Sequence, residues 1–212
     1  MRLTYILTLI AGICICAGCT NMARQTRRNG VPTRVMLLEA NDYNKQYKLA
    51  APMPAVRFIT IHNTANKAPA INERNYLNNR RDKKCISFHY AVDEKEAIQI
   101  MPHNIHAWHA GDGKGSGNME SIGIEICRST CRNDKDFLYR QSEENAVALT
   151  AWLLARLNLA VDDLRMHYDW NHKNCPHRII DENRWDDFKA HVKTSMNAFK
   201  LKQHRQRTHP LR

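Results

Sequence analysis

The sequence has no internal repeat, which sets aside solenoid and propeller architectures. It has no Gly-Lys-Ser/Thr at phosphate-loop spacing, so the glycines between His103 and Gly117 do not read as a nucleotide cradle. Acid is in short supply. Asp and Glu number 21 against 32 Lys and Arg, and the formal net charge of +11 points to an anionic partner or surface. Nucleic acid, acidic lipid headgroups and cell-wall polymers all satisfy that charge. Apolar residues make up 43%, too few for a multi-span membrane protein and enough for one core in 212 residues.

The first nineteen residues differ from the rest. Arg2 is their only charge, Leu3 to Cys16 is almost continuously apolar, and small residues follow. This is the layout of an export signal, and it is short for a membrane span, which needs about 20 apolar residues. Cys16-Ala17-Gly18-Cys19 resembles a bacterial lipoprotein box with Cys19 as the lipidated residue, although Cys16 stands where that pattern usually has leucine. Residues 1–19 are therefore expected to carry the chain out of the cytoplasm, with a lipid anchor at Cys19 to a membrane of the cell envelope as the leading reading and a cleaved soluble signal or an uncleaved anchor as the others. Residues 20–54 read as a basic tether and lead-in, with a short edge element over Val35 to Leu38. Residues 55–200 read as the folded domain, and 201–212, with Lys202, Arg205, Arg207, Arg212 and no acid, as a solvated basic tail. Of seven cysteines, Cys85, Cys127, Cys131 and Cys175 lie beyond the signal. Cys127 and Cys131 are close enough to bridge, and an exported compartment permits it; ordinary reduced thiols are the other reading.

The fold class expected is α/β. Val56 to His62 alternates and is rich in β-branched residues, so it predicts a strand with His62 at its end. Phe88 to Asp93 and Ala97 to Met101 predict a hairpin, and Ser121 to Cys127 and Leu164 to His167 two further strands. Period-two alternation places Glu125 on the face opposite Ile124 and Ile126. Helices are predicted over Ile71 to Arg81, over Ser142 to Leu159 with Ser142 as N-cap, and over Trp185 to Leu201; Ile179 to Arg184 reads as a loop. The stretch containing Trp108 and His109 reads as a binding loop or a polar surface loop.

The densest chemistry runs from His167 to His177, with three histidines, a cysteine, a lysine and a proline in eleven positions. Thiol beside imidazole favours zinc over magnesium or calcium. A catalytic zinc typically takes three protein ligands and keeps one position for water. His62, His167 and Cys175 supply that count for one Zn²⁺ ion, with Glu125 as candidate base and Lys173 as candidate electrostatic donor. A structural zinc closed by His172 or His177 is the rival reading.

Five ordered motifs between His62 and Ile180 now carry a resemblance: Ile61-His-Asn-Thr64, Ser87-Phe-His-Tyr90, Ala107-Trp-His-Ala-Gly111, Ser121-Ile-Gly-Ile-Glu-Ile-Cys127, and His167 to His177 with its Lys173-Asn-Cys-Pro-His177. The chain resembles the zinc-dependent N-acetylmuramoyl-L-alanine amidases of the type 2 family, which share their fold with phage amidase lysozymes and peptidoglycan recognition proteins. The resemblance implies a central mixed β-sheet flanked by helices. It implies zinc on His62, His167 and Cys175, catalysis by Glu125 and Lys173, and a substrate groove lined by Trp108 and His109. The reaction implied is hydrolysis of the amide between N-acetylmuramic acid and the L-alanine of the stem peptide in peptidoglycan. Some phage members carry a catalytic tyrosine where this chain has Phe88, so the glutamate version of the mechanism is expected here. A monomer with no nucleic-acid partner is expected, since nucleic acid would explain the charge and leave the export signal and Glu125 without a role. A non-catalytic muropeptide-binding module is the alternative, and Cys175 argues against it, because non-catalytic relatives often lose that ligand.

Overall fold

The structure, a computed structural model, describes residues 26–49 and 51–208. The export signal, the lipid anchor at Cys19 and the last four residues of the tail lie outside the described residues. Seven strands form one mixed sheet: β1 (Thr26–Arg28), β2 (Val31–Val35), β3 (Phe58–Asn63), β4 (Tyr90–Val92), β5 (Ala97–Gln99), β6 (Ser121–Ile126) and β7 (Leu164–Met166). Their order across the sheet is β1-β2-β5-β4-β6-β3-β7. β4, β6, β3 and β7 run parallel, and the β4–β5 and β1–β2 pairs are antiparallel.

Alternation decides what each face of the sheet carries. Ile59 and Ile61 of β3 and Ile122, Ile124 and Ile126 of β6 turn to one face. There they pack with Leu149, Leu153 and Leu154 of α4 (Asp136–Leu157) and with Phe188 and Val192 of α7 (Trp185–Thr208). The other face holds a second core of Leu77, Phe88, Ala91, Ile98 and Ala107 beneath α2 (Ala70–Asn79). His62 and Glu125 belong to this second face and are direct partners in the β3–β6 register.

The lead-in is more structured than its polar sequence predicts. It supplies β1, β2 and a short helix, α1 (Asp42–Tyr47). β2 starts four residues before the edge element expected at Val35 to Leu38, and the chain then continues along β5 through Met36 N–H to Gln99 O at 2.9 Å and Leu38 N–H to Ile100 O at 3.0 Å. Lys48, fully buried, closes the C-terminal end of α2 by donating to the carbonyls of Leu77 and Arg80.

Three helical predictions need correction. α4 begins at Asp136, so Ser142 is an interior residue whose hydroxyl donates back to Leu138 O at 2.7 Å. Asp136 supplies the first-turn acid, and left-handed Asn158 ends the helix. Residues His177–Asp181 form α6, which overlaps the first half of the loop predicted over Ile179 to Arg184. α7 runs on to Thr208 through residues read as an unstructured tail, and those residues are mostly exposed. Cys127 and Cys131 are both buried and unbridged.

Candidate functional site

A cavity of about 430 Å³ opens on the second face of the sheet, bordered by the ends of β3 and β6, by residues 85–88, by the loop after Ala107 and by the stretch from His167 to Cys175. β3 delivers His62. β7 ends one residue before His167, which starts the single turn of α5 (Tyr168–Asn171). The chain then returns so that Tyr168 N–H donates to Cys175 O at 3.0 Å. That closed loop sets His167 and Cys175 on the same side.

The donor atoms of His62, His167 and Cys175 lie within 4.8 Å of one another, and all three residues are buried. His62 Nδ1 stands 3.0 Å from His167 Nδ1 and 3.8 Å from Cys175 Sγ. A tetrahedral zinc with Zn–N of about 2.1 Å would hold two nitrogens roughly 3.4 Å apart, so the donor set fits such an ion with a shift of a few tenths of an ångström. Electrostatics agree. Burial pushes the Cys175 thiol up to about 12, and Glu125 adds to that; the Asn63 N–H, 3.4 Å from Sγ, and Lys173 work against it. Burial holds His62 well below the usual histidine range and takes His167 down to about 4. Two neutral imidazoles therefore offer lone pairs beside a sulfur that needs a cation to become a thiolate. His172 and His177 are outside the cluster. His172 is exposed, with a left-handed backbone that caps α5, and His177 begins α6.

Glu125 is half-buried beside His62, and its Oε2 is enclosed without a hydrogen-bond partner. Burial pushes its carboxyl up to about 8, with Glu73 adding and Lys173 opposing. Lys173 is exposed and borders the same cavity. Phe88 and Trp108 also face it. His109 reaches it only at 8% exposure, and its ring stands against His62 instead, Nδ1 to Nε2 at 3.0 Å.

Several residues that the sequence did not single out shape the site. Asn118 Oδ1 accepts from the N–H groups of both His109 and Ala110 at 2.8 Å and so fixes the loop. Asp112 in turn accepts from the N–H groups of Gly117 and Asn118 in α3 (Ser116–Met119). Asn63 Oδ1 accepts from Arg178 N–H at 2.9 Å, tying β3 to α6 just past Cys175. Gly111 has a left-handed backbone at φ +68 that favours glycine, and a Cβ there would displace the Asn171 side-chain amide, 2.2 Å away.

Comparison with known proteins agrees with the geometry. A sequence-family model described as N-acetylmuramoyl-L-alanine amidase matches residues 52–178. The chain is similar to N-acetylmuramoyl-L-alanine amidase CwlA of Bacillus subtilis (strain 168), 45% identical over 155 residues, covering 72% of this chain and 54% of the relative. It is similar to amidase XlyB of the same strain, 44% identical over 155 residues, covering 72% of this chain and 47% of the relative. The chain thus spans about half the length of these curated relatives. Among solved structures, that of PlyL superposes with a TM-score of 0.68 at 39% identity, covering 76% of this chain and 96% of PlyL. The catalytic domain of XlyA gives 0.65 at 36% identity, covering 75% of this chain and 99% of that domain.

Proposed function

Since the chain belongs to the N-acetylmuramoyl-L-alanine amidase family, we propose that it hydrolyses the amide between N-acetylmuramic acid and L-alanine in peptidoglycan. The observation that carries this is the convergence of three buried donors and one unpartnered carboxylate oxygen in a single open cavity. His62, His167 and Cys175 would hold one zinc ion. Bound there, zinc would polarise the scissile carbonyl and lower the pKa of a water towards roughly 7.

The chain's own groups carry the remaining work. Glu125 Oε2 takes the proton from the attacking water and returns it to the departing L-alanine nitrogen. The upward push that burial gives its pKa helps the carboxyl to hold that proton between the two steps. The Lys173 ammonium stands by the oxyanion that forms on the carbonyl. Trp108 offers an apolar wall to the substrate. Phe88 has no proton to give, which leaves acid–base chemistry to Glu125. Among the described residues the cluster offers three donors, and that supports an enzyme over a closed structural site, because it leaves a position for water.

In the whole protein, residues 1–19 export the chain, Cys19 anchors it to a membrane of the cell envelope, and the protein acts there as a monomer. Wall hydrolysis by the purified protein should stop on chelation and return on adding zinc. Hydrolysis that persists after the metal has been stripped would refute the proposal.

A further inference from the structure

We infer that His109 is a positioning residue that fixes the tautomer of His62, so that the lone pair on His62 Nδ1 faces His167 and Cys175. The inference rests on the metal reading above and gives His109 a further part within it: the ring acts from behind the ligand.

The argument follows one chain of hydrogen bonds. His109 Nε2 lies 3.3 Å from the Ser121 carbonyl oxygen, which can only accept. Nε2 therefore carries the hydrogen. In a neutral imidazole the other nitrogen is then an acceptor. That nitrogen, Nδ1, is 3.0 Å from His62 Nε2. His62 must donate there, which leaves its lone pair on Nδ1. It is Nδ1, and not Nε2, that stands 3.0 Å from His167 Nδ1 and 3.8 Å from Cys175 Sγ.

The surroundings hold the relay rigid. The two rings meet edge to face, with centroids 5.0 Å apart and planes at 86°. Asn118 fixes the His109 backbone, as described above. Below the ring lies Gly123 of β6, where a Cβ would come within 2.8 Å of His109 Cγ. The sheet therefore leaves a seat for this ring, two residues before Glu125. A hydrogen-bonded partner behind a ligating histidine typically changes metal affinity by about 10- to 100-fold.

The test is zinc affinity of the full chain, measured by competition with a chromogenic chelator. His109→Leu fills the space without an acceptor and should bind zinc about 10- to 100-fold more weakly than the unsubstituted protein. His109→Asn keeps an acceptor near the Nδ1 position and should recover most of that loss. Cobalt substituted for zinc should show an altered visible spectrum in the Leu variant and a near-normal one in the Asn variant. Equal affinity in all three proteins overturns the inference while leaving the amidase reading intact. An unsubstituted protein that binds no zinc overturns both. The metal-free protein supplies a readout that needs no folded variant: histidine-ring ¹⁵N–¹H correlations should place the His62 proton on Nε2 and the His109 proton on Nε2. A His62 proton on Nδ1 overturns the inference.

Discussion

The proposed mechanism places its acid–base chemistry on Glu125, which borders the cavity beside His62. Glu125 sits on a strand between isoleucines, and an enclosed carboxylate without a partner costs stability. Its Oε2 has no partner. Glu125→Gln keeps the shape and removes the proton-holding group. We expect turnover of wall to fall by about 10²- to 10⁴-fold, with zinc content unchanged by elemental analysis. Near-normal turnover would remove Glu125 from the mechanism. Cys175→Ala should instead lose the metal along with the activity, since two imidazoles cannot replace a thiolate donor. At this scale much of the site was legible. The strand-end position of His62 and the period-two placement of Glu125 put both on one face, and the β3–β6 register makes them neighbours. The relation between His109 and His62 was not legible. The two lie 47 residues apart, and only the packed loop brings their rings together.

The short element α6 shows how the fold keeps the stretch after Cys175 in place. Arg178 is 1% exposed and makes bonds of 2.7 Å to Asp136 of α4, 2.8 Å to Glu182 and 2.9 Å to the Cys131 carbonyl, over the face of Tyr139 at 4.2 Å. Arg178→Met strands those acceptors and should lower stability by about 2–4 kcal/mol in denaturant unfolding; Arg178→Lys should not rescue it, because one ammonium cannot reach three directions. Part of this network is pH-dependent. Burial would raise the Glu182 carboxyl, but hydrogen bonds from Arg140, Arg184 and Arg178 outweigh it and bring the carboxyl down to about 2. Its folded pKa is therefore below its unfolded value of roughly 4.3. The stabilisation is complete above that unfolded value and is lost as pH falls through about 2. In thermal melts, the gap between the protein and Glu182→Gln should be full at pH 6 and should close towards pH 2. An equal gap at both ends would contradict this. Strand cores such as Phe58–Asn63 were readable because β-branched alternation matches burial. β1 and β2 were not, because Thr-Arg-Arg and Val-Pro-Thr-Arg-Val carry little apolar signal. Long-range contacts stabilise them: Arg28 Nη2 donates to Gln99 at 2.7 Å and its guanidinium lies 4.7 Å over Trp152. The start of α4 was missed for a related reason, since its first turn is held by the charge on Arg178 and not by an apolar stripe.

On the scale of the whole molecule, the sheet and its two cores end well before the chain does. The last residue of α7 buried in the core is Met196, and at about 1.5 Å per residue the helix runs roughly 18 Å further into solvent before Thr208. Deleting residues 201–212 should therefore leave the melting temperature within about 2 °C. Those residues also carry four cations and no acid, on a chain of net charge +11. Binding to anionic wall should weaken with salt, and the truncated protein should show a shallower salt dependence in sedimentation with insoluble wall. No described helix is long and apolar enough to cross a membrane. The central claim is the identity of the bond that is cut. Mass spectrometry of muropeptides released from purified wall decides it. The account predicts new free L-alanine amino termini and intact glycan strands, in a digest that depends on zinc. New reducing sugar ends with no free L-alanine termini would contradict it.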